Sequence, residues 1–392
     1  MSPPTTRQNL YPGEELSVIN DAPCITYFRR GAGGGGGDDD PSTRPLVVLI
    51  PGAAHLARVF YGGHEGHDEC DFLAHWLTTR PQNYHFLAVS YPIDTSPDTS
   101  VMPTTDPGMT VSQWGEQAVE ATKRTIRRQN LGGTVILVFW SMGGKILQPF
   151  CLAAQAQNIV ISFAVPLVAT PAVRGIRDRP VLTPSPTTGY ATPAAGLSES
   201  YFVMQLHEQN ALHGDRIIIP DEIYRREYLG GFPVGLGCYG VRWSGKSQRR
   251  QEEEKGRHSF VDDPDIGYEV ADRFPLGKLP LMCPISCSSP VDLRHSVADK
   301  YTWGFLLTYK LLGGISPSKT LALQRTDTED QKEKGKRLTR FIHAAPETLS
   351  ATVEGGHHFF IGVDGARRTA ELIKDFETRV TEFQRDLEEL LA

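Results

Sequence analysis

The sequence lacks three features that would each indicate a particular class of protein. None of its six cysteines forms a CxxC pair with another, so the paired spacing of a zinc site or a small disulfide framework is absent. No stretch reaches the roughly 18 apolar residues of a membrane span. Lys and Arg number 40 against 46 Asp and Glu, a net charge of −6, and this balance argues against a nucleic-acid-binding protein.

The remaining composition is typical of a folded protein. Of the 392 residues 40% are hydrophobic and 22% are charged, which allows a large core. The scattered cysteines predict reduced thiols and a cytoplasmic location. The polar start of the chain has no apolar segment typical of a secretory signal. The sequence indicates neither a cofactor nor a metal site, and the oligomeric state cannot be derived from it.

Short apolar runs alternate with amphipathic segments, and this rhythm predicts the fold class. Continuous apolar runs are typical of strands that are buried on both faces of a parallel sheet. We predict such strands at 45–51, 84–91, 134–140 and 159–169, with helices at 68–80, 110–131 and 142–157 between them. The chain is therefore predicted to be an α/β protein, with a mostly parallel central sheet flanked by helices.

Changes in this rhythm suggest four segments. Residues 1–44 contain an N-terminal hairpin, predicted over 15–30, and a Gly/Asp-rich loop; residues 45–169 form the first part of the core. From 170 to 316 the chain is rich in Pro, Gly and aromatic residues, and we interpret this segment as a cap or lid. The rhythm resumes in 317–392, with strands predicted at 320–326 and 347–353 and helices at about 331–343 and 365–391.

A serine stands where a buried strand runs directly into a helix. The strand TVILVFW is followed by Ser141, Met142, Gly143 and Gly144. A tight strand-to-helix turn of this kind exposes a nucleophilic hydroxyl, and the N–H of the residue after the serine can stabilise an oxyanion. We therefore predict Ser141 as the nucleophile and Met142 as an oxyanion donor.

The residue two positions before the serine departs from the usual G-x-S-x-G pattern. Phe139 occupies the place of the first glycine, where strand and helix normally come close together. The departure leaves open whether the turn is tight enough to activate Ser141. Phe139 and Trp140 are predicted to be pocket residues.

The first predicted core strand ends in Pro51, Gly52, Ala53, Ala54 and His55. In serine hydrolases of this topology, the loop after this strand donates the second oxyanion N–H. Ala53 is the predicted donor, with Ala54 as the alternative, and His55 is predicted to line the pocket.

The general base is predicted after the last strand, at the sequence Gly-Gly-His-His. Its spacing favours His357 over His358, since adjacent side chains point in different directions and only one can reach the serine. For the acid, Asp327 follows the strand predicted at 320–326, in the order Ser–Asp–His. Glu329, Asp330 and Asp292 remain alternatives, Asp292 if its segment is a sheet strand instead of part of the cap.

Taken in order, the WSMGG and GGHHFF motifs resemble those of serine hydrolases of the α/β-hydrolase superfamily, with the match covering 45–169 and 317–391. The segment IPGAAHLARVFYGGHEG, followed by DFLAHWL, is similar to α/β-hydrolase-like proteins of fungal secondary-metabolite clusters, including those of cytochalasan pathways. This second resemblance implies a bulky, mostly apolar polyketide substrate.

Two functions are consistent with these residues. In the first, Ser141 attacks an ester or thioester of a bulky apolar acyl group, His357 transfers the proton and Asp327 orients His357. In the second, the same fold promotes cyclisation of a polyketide intermediate, with His357 as base and the oxyanion N–H groups stabilising an enolate. Only the first requires a covalent adduct on Ser141.

Overall fold

The computed structural model describes residues 9–33, 40–94, 101–103, 107–172, 183–184, 189–192, 197–237, 241–243, 260–262, 275–316, 318 and 328–392. The strands of the central sheet are β1 (Glu14–Ile19), β2 (Ala22–Arg29), β3 (Leu46–Ile50), β4 (His85–Ser90), β5 (Thr134–Trp140), β6 (Val160–Leu167), β12 (Leu281–Met282), β13 (Ile285–Cys287) and β14 (Ala351–Val353). Between β6 and β12 lie the short strands β7 (Thr183–Pro184), β8 (Tyr190–Thr192), β9 (Phe232–Pro233), β10 (Val241–Trp243) and β11 (Phe260–Asp262).

The helices cover both faces of this sheet and the cap. The α-helices are α1 (Leu73–Thr78), α2 (Val111–Gln129), α3 (Leu147–Ala156), α4 (Leu197–Leu212), α5 (Asp221–Ile223), α6 (Val234–Gly237), α7 (Asp299–Gly314), α8 (Glu329–Thr348) and α9 (Val363–Leu391). Short 3-10 helices span Pro41–Thr43, Ala57–Phe60, Glu69–Asp71, Ser141–Ile146, Leu276–Lys278 and Pro290–Asp292, and π-helical turns span Tyr224–Tyr228 and Arg294–Ala298. Among the described residues, no helix is both long enough and apolar enough to cross a membrane.

The strand order of the central sheet is β1-β2-β4-β3-β5-β6-β13-β14, and β12 also pairs with β6. The pairs β1–β2 and β2–β4 are antiparallel, while the pairs from β4 onwards are parallel. A mostly parallel sheet in this order, flanked by helices and with a serine turn after β5, is the α/β-hydrolase fold. The predicted fold class is confirmed.

The middle of the sheet explains why the apolar runs are continuous. All five residues of β3 are buried, and so are six of the seven in β5. Helices on both faces leave no solvent-facing side for polar residues to occupy, so the sequence does not alternate. Thr110 caps the start of the adjoining α2 and accepts the N–H of Gln113 in a capping box, and Asn130 caps its end in the left-handed conformation.

The second half of the chain differs from the sequence-based boundaries. Strands β12 and β13 belong to the central sheet, although they lie inside the range 170–316 assigned to the cap. They are only two and three residues long and are bounded by prolines, so they do not form a recognisable apolar run. The strand predicted at 320–326 lies outside the described residues. The strand predicted at 347–353 is reduced to β14, because α8 continues to Thr348.

Candidate active site

The turn after β5 places Ser141 in a strained conformation. Its φ is 54°, in the left-handed region that non-glycine residues rarely adopt. Gly143 has no room for a side chain, because a Cβ there would lie 2.9 Å from the carbonyl oxygen of Ile50. Gly52 approaches the serine as closely, because a Cβ at this position would lie 2.8 Å from the Cβ of Ser141. The tight turn therefore depends on glycines on both the elbow and the neighbouring loop.

Phe139 does not prevent this turn from forming. Its side chain is fully buried and packs against Trp303 of α7, with ring centroids 5.5 Å apart. The large residue is accommodated because the close approach around Ser141 involves Gly52 and Gly143. The departure from the usual motif thus fills space behind the sheet and leaves the serine turn intact.

His357 joins the serine to a carboxylate. Its Nε2 lies 2.9 Å from Ser141 Oγ, and its Nδ1 lies 2.8 Å from Asp292 Oδ2. The backbone of His357 is also fixed, since its N–H donates to Gln205 Oε1 at 2.8 Å and its carbonyl accepts the indole N–H of Trp140 at 2.9 Å. The three side chains form a continuous hydrogen-bonded chain, an arrangement compatible with a nucleophile, a base and an orienting acid.

The carboxylate that contacts His357 belongs to Asp292, whereas the first choice of the sequence analysis was Asp327. Asp292 follows β13, the strand that lies between β6 and β14, and carboxyl ends of neighbouring parallel strands meet at one edge. Asp327 lies outside the described residues. Glu329 and Asp330 are exposed in the first turn of α8, and their carboxylates make no hydrogen bond to His357.

Burial and pairing shift the pKa values of the two buried partners. Burial alone would raise the pKa of Asp292, but the charge and hydrogen bond of His357 outweigh it and lower the pKa well below its usual range. Tyr201 also donates its hydroxyl to Asp292 Oδ1 at 3.0 Å. Burial lowers the pKa of His357 in spite of the attraction of Asp292. Near neutral pH the site therefore holds an ionised acid beside a neutral base.

The predicted oxyanion donors lie beside the serine. Met142 is the second residue of the 3-10 helix Ser141–Ile146, and the first N–H groups of a helix have no partner within it. Met142 and Ala53 both line the cavity in front of Ser141. An oxygen bound there would be adjacent to two backbone segments, as acyl transfer requires.

The residues predicted for the pocket lie elsewhere. His55, Phe139 and Trp140 are fully buried and are absent from the cavity wall. Trp140 directly precedes Ser141 and points to the opposite side, Phe139 packs against Trp303, and the loop turns His55 towards Tyr224. His358, the alternative base, is also fully buried and hydrogen-bonds away from Ser141.

His55 and His358 belong to a hydrogen-bonded chain behind the oxyanion loop. His55 Nδ1 lies 2.7 Å from the carbonyl of Ala53, and its Nε2 lies 2.6 Å from the hydroxyl of Tyr224. Because the carbonyl can only accept, Nδ1 donates and Nε2 accepts from Tyr224. The Tyr224 oxygen in turn lies 3.1 Å from His358 Nε2. Burial lowers the pKa of His55 to about 3, so this chain is neutral near neutral pH.

A cavity of about 300 Å³ opens in front of Ser141. Apolar side chains from both halves of the chain line it, beside the polar groups of the triad. Its wall consists of Ala53, Ser141, Met142, Thr170, Tyr201, Phe202, Gly237, Val291, Asp292, Leu293, Arg294, His295 and His357. Tyr201, Gln205, Tyr224 and His295 were not predicted, because nothing in the local sequence indicates that these cap residues approach the serine.

Metal-ligating side chains meet at one point in the described part of the chain. The ligand atoms of Asp292, His295 and His357 lie within 4.8 Å of one another. Two of these residues are already hydrogen-bonded to each other, and His357 also contacts Ser141. Their arrangement is therefore suited to proton transfer from the serine.

No model of a known protein family matches the sequence, and the comparison with curated proteins gave no match either. Among solved structures, the fold is similar to a soluble variant of the monoglyceride lipase from Saccharomyces cerevisiae, at 11% identity and a TM-score of 0.45 over 97% of this chain and 98% of that one. Carboxylesterase CesB from Bacillus subtilis is similar at 11% identity and a TM-score of 0.41, over 93% and 90%. At identities and TM-scores this low, the likeness decides neither substrate nor reaction.

Proposed function

We propose that the protein is a serine hydrolase that cleaves an ester or thioester. The observation that carries this proposal is the hydrogen-bonded chain Ser141–His357–Asp292, with the serine in the left-handed turn after β5. A merely structural serine would not need a strained backbone, a buried neutral imidazole and a buried carboxylate in series. The proposed acid is Asp292.

The first half of the reaction forms an acyl-enzyme. His357 Nε2 takes the proton of the Ser141 hydroxyl while Oγ attacks the carbonyl carbon, and the N–H groups of Met142 and Ala53 stabilise the oxyanion. Asp292 stabilises the positive charge that develops on His357. The tetrahedral intermediate then collapses, and His357 gives its proton to the departing alcohol or thiol.

The second half releases the acyl group. Water donates a proton to His357 and attacks the acyl carbon, and collapse of the second intermediate returns the proton to Ser141 Oγ. The acid product leaves, and the enzyme regains its starting protonation state. No cofactor is required for these steps.

Covalent labelling tests the proposal directly. A fluorophosphonate probe should add once to the wild type, as seen by intact mass, and should leave Ser141→Ala unlabelled. Ser296→Ala is the matched control, since this serine is not in the cavity wall and its hydroxyl donates to the carbonyl of Leu293. The proposal fails if the folded wild type remains unlabelled, or if Ser141→Ala is labelled as fast as the wild type.

The proposed substrate has a bulky, mostly apolar acyl group. Support comes from apolar wall residues such as Met142, Phe202, Val291 and Leu293, since burial of apolar area favours longer chains. The resemblance of residues 50–66 to proteins of fungal polyketide clusters extends the proposal to an acyl group of polyketide type. Longer acyl esters should therefore have a higher kcat/KM than acetate esters, and equal values would contradict this part.

A non-hydrolytic cyclase remains the alternative. It was suggested by Phe139, which could have distorted the turn, but Ser141 adopts the strained conformation and contacts His357. The geometry therefore favours the hydrolase, and a labelled serine would distinguish the two. We also propose a cytoplasmic location, because the five described cysteines are free thiols and four of them are buried.

A further inference from the structure

A second histidine–carboxylate pair lies beside the triad. His295 Nδ1 is 2.7 Å from Asp299 Oδ2, and the two residues are one helical turn apart at the junction of the π-helical turn with α7. Their side chains are only 9% and 7% exposed. The ring of His295 lies 4.6 Å from that of His357, centroid to centroid. The pair repeats the base and acid of the triad without a serine in front of it.

The orientation of His295 leaves one nitrogen facing the cavity. Asp299 accepts from Nδ1, so Nε2 is the nitrogen that is available to a ligand. Among the described residues Nε2 has no hydrogen-bond partner, and it is not one of the fully enclosed polar atoms. His295 is itself part of the cavity wall. A buried imidazole is thus held by a carboxylate with its free nitrogen at the substrate cavity.

The other polar groups of the wall have partners within the protein. Ser141, His357 and Asp292 bind one another, and the hydroxyl of Tyr201 donates to Asp292. The guanidinium of Arg294 donates to Thr170 Oγ1 at 3.4 Å. His295 differs from these groups because its Nε2 has no hydrogen-bond partner among the described residues.

A hydroxyl group matches this nitrogen in either protonation state. When His295 is neutral, Nε2 is an acceptor and takes the O–H of the ligand; when it is protonated, Nε2–H donates to the hydroxyl oxygen. A carbonyl or ether oxygen satisfies only the protonated form, and an apolar chain satisfies neither. A buried polar atom that finds no partner in the complex costs binding free energy, so the site discriminates against ligands without such a group.

We propose that His295, oriented by Asp299, binds a hydroxyl group of the substrate, so that the cavity selects hydroxylated acyl esters. This inference rests on the proposed hydrolase function and adds the substrate class. Because the His295 and His357 rings lie 4.6 Å apart, we choose a substituent close to the scissile carbonyl, at the third acyl carbon, for the test.

The test compares three esters that share one leaving group: a 3-hydroxyacyl ester, its 3-deoxy analogue and its 3-methoxy analogue. For the wild type, kcat/KM should be about tenfold or more higher for the hydroxy ester than for the other two. In His295→Leu this preference should disappear, because kcat/KM should fall much further for the hydroxy ester than for the deoxy ester. His295→Gln, whose amide can still bind a hydroxyl, should restore part of the preference.

Three results would overturn the inference. One is an unchanged preference in His295→Leu, and another is an equal loss for hydroxy and deoxy esters, which would mean that His295 only supports His357. The third is a methoxy ester as good as the hydroxy ester, since any acceptor would then serve. Val297→Ala is the matched control, because this exposed neighbour on the same turn is not in the cavity wall.

A binding measurement separates this inference from the proposed function. Ser141→Ala cannot form the acyl-enzyme, so its equilibrium Kd for the hydroxy and deoxy esters is independent of turnover. Tighter binding of the hydroxy ester, lost when His295→Leu is added, would support the hydroxyl site even if the wild type fails to react with the fluorophosphonate. Equal Kd values together with a labelled wild type would leave the hydrolase standing and reject the hydroxyl site.

Discussion

The two regions that build the triad differ in how their strands are made. Strands β3 and β5, which lead to the oxyanion loop and to Ser141, have five and seven residues, and almost all of these are buried. Strands β13 and β14, which lead to Asp292 and His357, have three residues each. In the first region, long apolar strands position the residues that follow them. In the second region, Asp292 and His357 are also held by hydrogen bonds from the cap residues Tyr201 and Gln205.

This difference shows that the nucleophile is held by local structure and the acid by tertiary structure. The conformation of Ser141 follows from the strand, the helix and the glycines around it. The position of Asp292 follows from the place of β13 between β6 and β14. Substitutions in the two regions should therefore have different consequences.

The largest effect is expected from the acid. Asp292→Asn keeps the shape of the side chain but removes the charge that stabilises protonated His357, and it should lower kcat about ten-thousand-fold. Asp327→Asn, at the acid favoured by sequence alone, is the matched control and should keep kcat within about twofold. Steady-state kinetics with a long-chain ester would measure both, and circular dichroism would verify folding. A large loss in Asp327→Asn with little change in Asp292→Asn would refute the assignment of the acid.

The next effect is on stability. Phe139→Ala should leave a cavity between β5 and Trp303, and we expect it to lower the free energy of unfolding by about 3–5 kcal/mol. Phe305→Ala is the control on the same helix as Trp303, and because Phe305 is 59% exposed its effect should be small. Urea unfolding would measure both. At urea concentrations below its unfolding transition, Phe139→Ala should still react with the fluorophosphonate, since Gly52 and Gly143 maintain the serine turn.

The same contrast explains what could be predicted from the sequence. The central strands, the elbow and the Gly-Gly-His end carry local signals, because buried parallel strands and tight turns restrict which residues can occur there. Asp292 carries no such signal, since β13 is too short to form an apolar run and lies within the segment rich in Pro, Gly and aromatic residues. His55 shows a related limit: the sequence places it in the right loop, but only the contact with Tyr224 reveals that its ring turns inward.

A moderate effect is expected where the cap contacts the oxyanion loop. Tyr224→Phe removes the hydroxyl between His55 and His358, so His55 no longer fixes the Ala53 carbonyl as firmly. We expect kcat to fall about tenfold with little change in KM, as for an interaction that matters most in the transition state. Tyr228→Phe is the control, because its hydroxyl contacts His64 instead. An equal loss in both variants would mean that the chain supports the cap and has no specific effect on the oxyanion loop.

The smallest effect concerns the pH dependence of the two histidines. His357 must be neutral to accept the serine proton, so kcat/KM should fall as the pH falls through its pKa. Burial lowers this pKa, so the midpoint should lie below the ordinary 6.5 of a histidine.

Burial also acts on His295, but its hydrogen bond to Asp299 and the charge of that carboxylate raise its pKa. In the acid limb His295 is therefore protonated and opposes a second charge on His357. His295→Leu removes that charge and should move the midpoint of kcat/KM for the deoxy ester to higher pH. A midpoint that stays in place would show that the two histidine–carboxylate pairs titrate independently, and a shift to lower pH would contradict the repulsion between the two histidines.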